Sequence, residues 1–448
     1  MRIKLNIPLN VEEIAFATKG ICNIKEIITH ISTDSRESER NDLFIALKGE
    51  KFNGESFIKE ATDRGAIPLS TQKLDGGITV SDTNIALLKL AAYYKAKLKK
   101  LKKTVAITGS VGKTTTKEFL KSILSSAYNV HATPDNLNNE IGMPLTVLSA
   151  LPDTEILILE MGMNHSGEIG RMSETVLPDI AIITKIGTAH IGNLGSREKI
   201  ADAKLEIKKG LINGKLIVPF GESLIPYSNS NITFSASSKE ADYYINNTDH
   251  NIFSIYSYGK LFFKQNLFFT DKHLYECLAA AITCASEIGI SKDNIARGVS
   301  TLSHNNIRQR YIHKENITFL SDCYNASYES IIAAIDSLKS ISGYRTKSLV
   351  LGDVLELGDL SEQIHRNIGY YISPLCFSSL YLVGDQVKYV YEGAILAGFP
   401  KEHIHLNPNP EKLEITVAQI KSNAFVGEIL LLKASRKIRL ERILDYFD

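Results

Sequence analysis

The chain contains 448 residues, which is enough for about three domains of ordinary size. Hydrophobic residues make up 44% and charged residues 23%, as in soluble globular proteins, and no apolar run is long enough to span a membrane. Lysine plus arginine number 51 against 50 aspartate plus glutamate, so the charge gives no case for nucleic-acid binding. The start lacks the apolar core of a signal peptide, and the five cysteines lack metal-site spacing. We therefore expect a cytoplasmic monomer with reduced thiols.

Residues 1–83 are predicted to form a small α/β domain. A strand pattern at 42–49 ends in a glycine turn, and helix patterns follow at 57–64 and 84–98. Three polar residues, Ser35, Arg36 and Lys48, lie near the predicted strand ends. They could hold a phosphate or a sugar, but ordinary solvent-exposed loop residues would give the same sequence pattern.

A central domain is predicted over 84–312, and its first strand, at 104–108, leads into a glycine-rich turn. The turn reads TGSVGKTTT over 108–116, with two residues between its glycines where the common phosphate-binding pattern has four. Glycines turn backbone N–H groups inward, and the helix predicted at 117–126 adds positive partial charge. Lysine would reach the outer phosphates, and the following threonine would hold Mg²⁺. The predicted nucleotide-binding residues here are Gly109, Ser110, Val111, Gly112, Lys113, Thr114 and Thr115.

Further strands at 155–160, 179–185 and 215–219 alternate with helices, which predicts a parallel sheet. Ligands bind at the carboxyl ends of such strands. Glu160 closes one strand, His190 follows another, and Lys204 lies on the helix after that. A salt-bridge glutamate, a loop histidine and a solvated lysine are the structural alternatives. Short β patterns at 220–269 suggest an antiparallel appendage, and helices are predicted at 274–288 and 294–302.

Residues 313–448 are predicted to form a second parallel α/β unit, a Rossmann-like domain, with strands at 317–320, 348–351, 380–383 and 428–432. Asp322 and Asn325 follow its first strand, where they could equally cap a helix. The last strand runs into Ser435 and Arg436. A nucleotide-binding domain followed by such a unit suggests a cleft that closes by domain movement.

These stretches together resemble the Mur ligases over nearly the whole chain. The matching sequences are DSR (34–36), DLFIALKG (42–49), TGSVGKTTTK (108–117), NLNNEIGMPLT (136–146), EMGMNHSGEI (160–169), GTAHIGNLGSREKIADAKLE (187–206), DCYNAS (322–327) and LGDVLELG (351–358). The shortened phosphate loop is shared across that family and with folylpolyglutamate synthase. The resemblance implies an enzyme that uses ATP to phosphorylate a carboxylate and then passes the acyl group to an amine.

Within the family, the chain is most similar to the members that join D-Ala-D-Ala to UDP-MurNAc-tripeptide in peptidoglycan synthesis. The resemblance implies ATP and Mg²⁺ as cofactors, with UDP-sugar binding by the first domain. It also implies the remaining site residues. A second metal would be held by Glu160, His190 and Lys204, and the lysine would react with CO₂ to give a carbamate. Around the nucleotide, Asn136 and Asn139 would lie near the base, Arg308 or Arg310 at the phosphates, and Asp322 and Asn325 at the ribose. The dipeptide or the acyl phosphate would be contacted by His365, Ser435 and Arg436.

The sequence departs from the family pattern where two asparagines usually hold the adenine, because His273 and Glu276 fall at those positions. Adenine recognition is therefore expected to differ. Two other functions stay open at this point: a related ligase that adds a single amino acid, and a P-loop switch that hydrolyses nucleotide to move a partner. The third residue of the acceptor peptide is not specified by the sequence.

Overall fold

The structure is a computed structural model that describes residues 1–49, 52–226, 228–249, 252–267, 269, 271–303, 309–372 and 377–448. The described residues form three β-sheets, each covered by helices and each built from a separate stretch of chain. The predicted three-domain α/β architecture is confirmed. Arg308 lies outside the described residues. In the described part of the chain, no helix is both long and apolar enough to cross a membrane.

The first sheet is built by the N-terminal residues. Its elements are β1 (Arg2–Asn10), α1 (Val11–Thr18), β2 (Ile21–Cys22), β3 (Ile27–Ser32), β4 (Asp42–Ile45), α2 (Ile58–Asp63), β5 (Ile67–Ser70), β6 (Ile78–Thr79) and α3 (Thr83–Ala96). The strand order is β1-β3-β4-β5-β6-β2, with β3 to β6 parallel. Helix α3 ties this sheet to the next domain: the Tyr94 hydroxyl accepts from the Ile7 N–H at 3.0 Å and donates to the Ala150 carbonyl at 3.1 Å.

The central sheet has nine strands and carries the glycine-rich turn. Its elements are β7 (Lys103–Thr108), α4 (Lys113–Leu124), β8 (Val130–Ala132), α5 (Gly142–Leu148), β9 (Ile156–Glu160), α6 (Glu168–Val176), β10 (Ile180–Ile183), α7 (Ile191–Leu194), α8 (Arg197–Leu205), β11 (Lys215–Pro219), β12 (Ile232–Ser235), β13 (Tyr243–Asp249), β14 (Ile252–Ser257), β15 (Lys260–Asn266), α9 (Lys272–Ile288) and α10 (Lys292–Ser300). The order is β15-β14-β13-β12-β11-β10-β7-β9-β8. Strand β7 pairs in parallel with β9 and β10, so the carboxyl ends of all three meet at one edge.

The predicted antiparallel appendage at 220–269 is wrong in one respect. Strands β12 and β13 continue the parallel pairing from β11, and only β13 to β15 run antiparallel, as an extension of the same sheet. The reason is burial: Ile232, Phe234 and Tyr243 belong to the hydrophobic core that α4 and α9 share with the central strands. The stretch is therefore part of the central domain's core.

The third sheet begins at β16 and contains six strands. Its elements are β16 (Arg310–Lys314), β17 (Ile317–Ser321), α11 (Tyr328–Ser340), β18 (Thr346–Gly352), α12 (Ser361–Ile372), β19 (Leu380–Val383), α13 (Val387–Leu396), β20 (Ile404–Asn407), α14 (Leu413–Asn423) and β21 (Glu428–Lys433). The order is β16-β17-β21-β18-β19-β20, parallel except for the edge strand β16. Each predicted strand has a counterpart here, and β16 and β20 are additions to them.

Candidate active site

The glycine-rich turn links β7 to α4 and has the backbone of a phosphate-binding loop. Gly109 has φ +150° and Gly112 has φ +90°. A Cβ at Gly109 would lie 1.9 Å from the Thr184 hydroxyl, so a glycine is required there on steric grounds as well. Helix α4 begins at Lys113, four residues before the predicted start. The loop therefore ends at the positively polarised helix N-terminus, which favours the binding of an anion.

The loop is anchored to the segment that follows β10. The Thr184 hydroxyl donates to the Val111 carbonyl at 2.6 Å, and the Gly187 N–H donates to the Ser110 hydroxyl at 2.9 Å. The Lys113 ammonium donates to the Gly109 carbonyl at 2.7 Å, so the side chain bends over its own loop. A phosphate entering the loop would compete with that carbonyl for the ammonium.

Glu160 stands at the carboxyl end of β9, fully buried, and faces the loop. One carboxylate oxygen accepts from the Thr114 hydroxyl at 2.7 Å, and the other accepts from the Asn138 amide at 2.8 Å. Its backbone N–H donates to the Thr133 hydroxyl at 3.0 Å. The buried carboxylate thus meets the threonine that phosphate loops use to hold Mg²⁺.

His190 lies in the loop after β10 with a left-handed backbone, φ +64°. Its Nδ1 atom is 2.7 Å from a carboxylate oxygen of Glu356 in the third domain, and this contact lowers the pKa of Glu356. The ring N–H is not aligned with that oxygen, so the contact is close but is not a linear hydrogen bond.

Lys204 on α8 is 2% exposed. Burial, and then the nearby charge of Lys113, lower the pKa of its ammonium well below the usual value. Among the described residues, no carboxylate offsets these two effects. A buried lysine without a counter-charge favours the neutral amine, which is the form that can react with CO₂.

The third domain supplies the opposite wall of the same pocket. Lys433 is buried and donates to the Asp322 carboxylate at 2.7 Å and to the Asn325 carbonyl at 3.3 Å. The pocket has a volume of about 330 Å³, within the range of small-molecule sites. Predicted residues that line it are Ser110, Val111, Gly112, Lys113, Thr114, Thr115, Asn136, Asn139, Glu160, His190, Asp322 and Asn325.

Two of the residues singled out in the sequence, Asn139 and His273, line this pocket and are held by the surrounding structure. The Asn139 side-chain oxygen accepts from the N–H groups of Ile141 and Gly142, where α5 begins. His273 also lines the pocket, with Cε1 placed so that a Cβ on Gly112 would lie 3.4 Å away. Burial, helped by the charge of Lys185, lowers the pKa of His273 to about 4. The imidazole is therefore neutral near pH 7.

Other predicted residues lie away from the pocket. Ser35 donates to the Glu60 carboxylate at 2.6 Å, and exposed Arg36 pairs with Asp34 and holds the pKa of that carboxyl well below its usual range. Lys48 is exposed, and its backbone exchanges hydrogen bonds with the Asn84 side chain at 3.2 and 2.8 Å. All three residues belong to the first domain.

The remaining third-domain candidates support the loop after β18. His365 is fully buried: its Nε2 accepts from the Val354 N–H at 3.1 Å, and its Nδ1 donates to the Ser361 carbonyl at 2.7 Å. The Ser435 hydroxyl accepts from the Leu355 N–H at 2.9 Å. In this conformation both ring nitrogens of His365 are bonded to the backbone. Arg436 is exposed and lies 3.2 Å from Glu441.

Several contacts between residues far apart in the sequence, within and between domains, were not predicted. Lys433, Asn138, Thr188, Glu329 and Glu356 occur in or beside the matching stretches, but nothing in their spacing pairs them. Their partners lie at large sequence distances: Lys433 contacts Asp322 and Thr188 contacts Glu329. An alignment of many sequences would have been the signal, because contacting pairs tend to vary together.

A phosphate loop and a buried carboxylate that share one pocket with a second α/β unit define a class of ATP-dependent ligases. Three family models match the chain: "Mur ligase family, catalytic domain" over 27–94, "Mur ligase middle domain" over 107–284 and "Mur ligase, glutamate ligase domain" over 307–436. The chain belongs to the Mur ligase family.

Several curated proteins that are 30% or more identical over nearly the whole chain are D-alanyl-D-alanine-adding ligases. The UDP-N-acetylmuramoyl-tripeptide–D-alanyl-D-alanine ligase of Bacillus subtilis is 37% identical over 450 residues, 97% of this chain and 96% of its own. The MurF crystal structure from Acinetobacter baumannii superposes with a TM-score of 0.88 at 30% identity, covering 98% of both chains. The MurF ligase of Thermotoga maritima, solved with ADP, has a TM-score of 0.79 at 28% identity, covering 93% and 96%.

Proposed function

We propose that the protein is an ATP-dependent ligase that joins D-Ala-D-Ala to UDP-MurNAc-tripeptide, releasing ADP and phosphate. The single observation that carries the ligase chemistry is the pocket, in which the phosphate loop, Glu160 and His190 face the third domain. A nucleotide switch has no need of a second carboxylate-directed site beside its phosphates. The identity of the substrates is supported by the names of the relatives, which cover nearly all of the chain.

At the nucleotide, this chain supplies positive charge and position. Lys113 and the N–H groups of the loop neutralise the phosphates, and phosphoryl transfer depends mainly on such placement. Gly109, Ser110, Val111, Gly112 and Thr115 would shape the cradle, with Asn136 and Asn139 near the base. Asp322 and Asn325 would face the ribose from the third domain, held in place by Lys433. Arg308 or Arg310 would reach the phosphates.

Mg²⁺ fits the residues present. Thr114, Glu160 and His190 all line the pocket and offer oxygen and imidazole donors, and Lys204 is a buried lysine whose charge no carboxylate among the described residues offsets. As a carbamate, Lys204 would add an anionic oxygen to that set. The ion, when bound, supplies positive charge between the nucleotide and the acceptor carboxylate.

The reaction balances without any further reactant. An oxygen of the acceptor carboxylate attacks the γ-phosphorus of ATP, which breaks the bond to ADP and forms an acyl phosphate. The amine of D-Ala-D-Ala then attacks the carbonyl carbon, expels phosphate and loses a proton as the amide forms. Lys113 stabilises the charge of the transferring phosphoryl group, while the loop around His190 orients the acceptor side of the pocket.

Each of the three domains is proposed to bind a different substrate. Residues 1–83 hold the UDP-sugar end, with Ser35, Arg36 and Lys48 as candidate contacts. Residues 84–312 bind ATP, and residues 313–448 receive the dipeptide, with His365, Ser435 and Arg436 as candidates that would need to change partners on binding. One chain provides both walls of the pocket, so we propose a monomer that works in the cytoplasm, where ATP is available.

A substrate panel tests this proposal. Purified protein with Mg²⁺ and ATP is offered D-Ala-D-Ala, D-Ala, L-Lys, meso-diaminopimelate or L-Glu, each with dipeptide and tripeptide acceptors. Phosphate release and product mass are followed together, with Lys113→Ala as the inactive control. We expect product only from D-Ala-D-Ala and a tripeptide acceptor. Product from a single amino acid would reassign the substrate, and phosphate release without acceptor or amine would contradict the ligase.

A further inference from the structure

The loop from Gly187 to Gly192, here called the His190 loop, is held at both of its ends by the third domain. At its start, the Thr188 N–H and hydroxyl both donate to the carboxylate of Glu329, at 2.9 and 3.0 Å. At its end, the Gly192 N–H donates to the Glu356 carbonyl at 2.9 Å. The two glutamates belong to different third-domain segments, the start of α11 and the loop after β18.

Both contacts depend on close backbone approach. A Cβ on Gly187 would lie 2.7 Å from the Glu329 carboxyl carbon, and a Cβ on Gly192 would lie 2.6 Å from the Gly358 nitrogen. Glu356 itself adopts φ +64°, which is strained for a residue with a side chain. Two glycines and a strained glutamate at one interface indicate that the fit is specific.

The same loop is joined to the phosphate loop. The Gly187 N–H donates to the Ser110 hydroxyl at 2.9 Å, and the next residue, Thr188, donates to the Glu329 carboxylate. His190 lies between the two clamped ends, 2.7 Å from the Glu356 carboxylate. The position of the imidazole is thus linked on one side to the nucleotide loop and on the other to the third domain.

We propose that Glu329 and Glu356 are positioning residues that set the His190 loop in its working shape only when the third domain is closed over the central domain. This inference rests on the proposed function, because it assigns the coupling between closure and the acceptor side of that same pocket. Closure would then complete the site in addition to excluding water. Acyl phosphates hydrolyse readily, so a site assembled only on closure would prevent loss of ATP.

The test compares Glu329→Ala and Thr188→Val with Thr188→Ser, which keeps both donors. Glu414→Ala is the matched control, because Glu414 is also a first-turn glutamate of a third-domain helix but is exposed on α14. We expect kcat to fall roughly ten- to a hundredfold in the first two variants, with KM for ATP within about threefold. Thr188→Ser and Glu414→Ala should behave as the parent protein. The double variant that combines Glu329→Ala with Thr188→Val should have a kcat no lower than that of either single variant.

Two readouts are independent of turnover. Small-angle scattering with ADP and Mg²⁺ should give a larger radius of gyration for Glu329→Ala and Glu356→Ala than for the parent. Mn²⁺ binding, followed by electron paramagnetic resonance, should be weaker in the same variants. If Glu329→Ala does not fold, the Thr188 pair tests the same contact from the central domain. Parent-like kcat, compaction and Mn²⁺ binding in Glu329→Ala would overturn the proposal. A parent protein without ligase activity would refute the proposed function instead, and the scattering would still report on the clamp.

Discussion

At the scale of single residues, the most informative side chain is Lys204. It is buried, its pKa is lowered by burial and by Lys113, and the described residues offer it no counter-charge. We predict that it is carbamylated in the active enzyme. Protein equilibrated with ¹³C-labelled CO₂ should give a carbamate carbon signal that Lys204→Ala lacks. Lys204→Ala should be nearly inactive and partly rescued by a short-chain carboxylate. An unmodified lysine in active protein would contradict this prediction.

His273 allows a pH prediction. Burial lowers its pKa from 6.5 to about 4, so between these values the unfolded chain binds a proton that the folded protein does not. Stability therefore falls as the pH drops through this window. Allowing for partial exposure, His273→Asn should reduce the loss of unfolding free energy between pH 7 and pH 5 by about 1 kcal/mol in urea titrations. The exposed His403→Asn is the control, and equal pH slopes for parent and His273→Asn would contradict the assignment.

At the scale of elements, the unit formed by β7, the phosphate loop and α4 depends on Gly109. Ala at this position would have φ +150° and a Cβ overlapping the Thr184 hydroxyl. We expect Gly109→Ala to cost about 1–3 kcal/mol and to abolish detectable ATP binding, measured by urea unfolding and calorimetry. Gly76→Ala is the control, because Gly76 also has positive φ, +81°, but no atom lies within 4 Å of its Cβ position. Equal effects of both changes would argue against a steric role for Gly109.

The sequence predicted this unit because its signals are local: a short strand, two glycines and a helix follow one another within about twenty residues. Non-local features were harder to predict. The pairing of β12 with β11 depends on burial under α9, and the sequence around 232 reads like any short strand. The partners of His365 were also not predictable, because whether a histidine faces a cavity or a backbone N–H is decided by residues that fold against it.

At the scale of the whole molecule, the account requires two domains of one chain to meet around one reaction. The central domain brings the phosphate loop and Glu160, and the third domain brings Lys433, Asp322 and the clamp on the His190 loop. Such an arrangement would favour transfer of the phosphoryl group to a bound carboxylate over transfer to water, because the acceptor and the nucleotide would share one pocket between two domains.

The most direct test follows an oxygen atom. The acceptor UDP-MurNAc-tripeptide is labelled with ¹⁸O in its terminal carboxylate and incubated with ATP, Mg²⁺, D-Ala-D-Ala and the protein. In the proposed reaction the carboxylate oxygen attacks the γ-phosphorus, and the amine later expels phosphate. One phosphate carrying one ¹⁸O atom should therefore be released for every amide formed. Mass spectrometry of the phosphate measures this directly. Unlabelled phosphate, released in step with product or without it, would contradict an acyl-phosphate ligase.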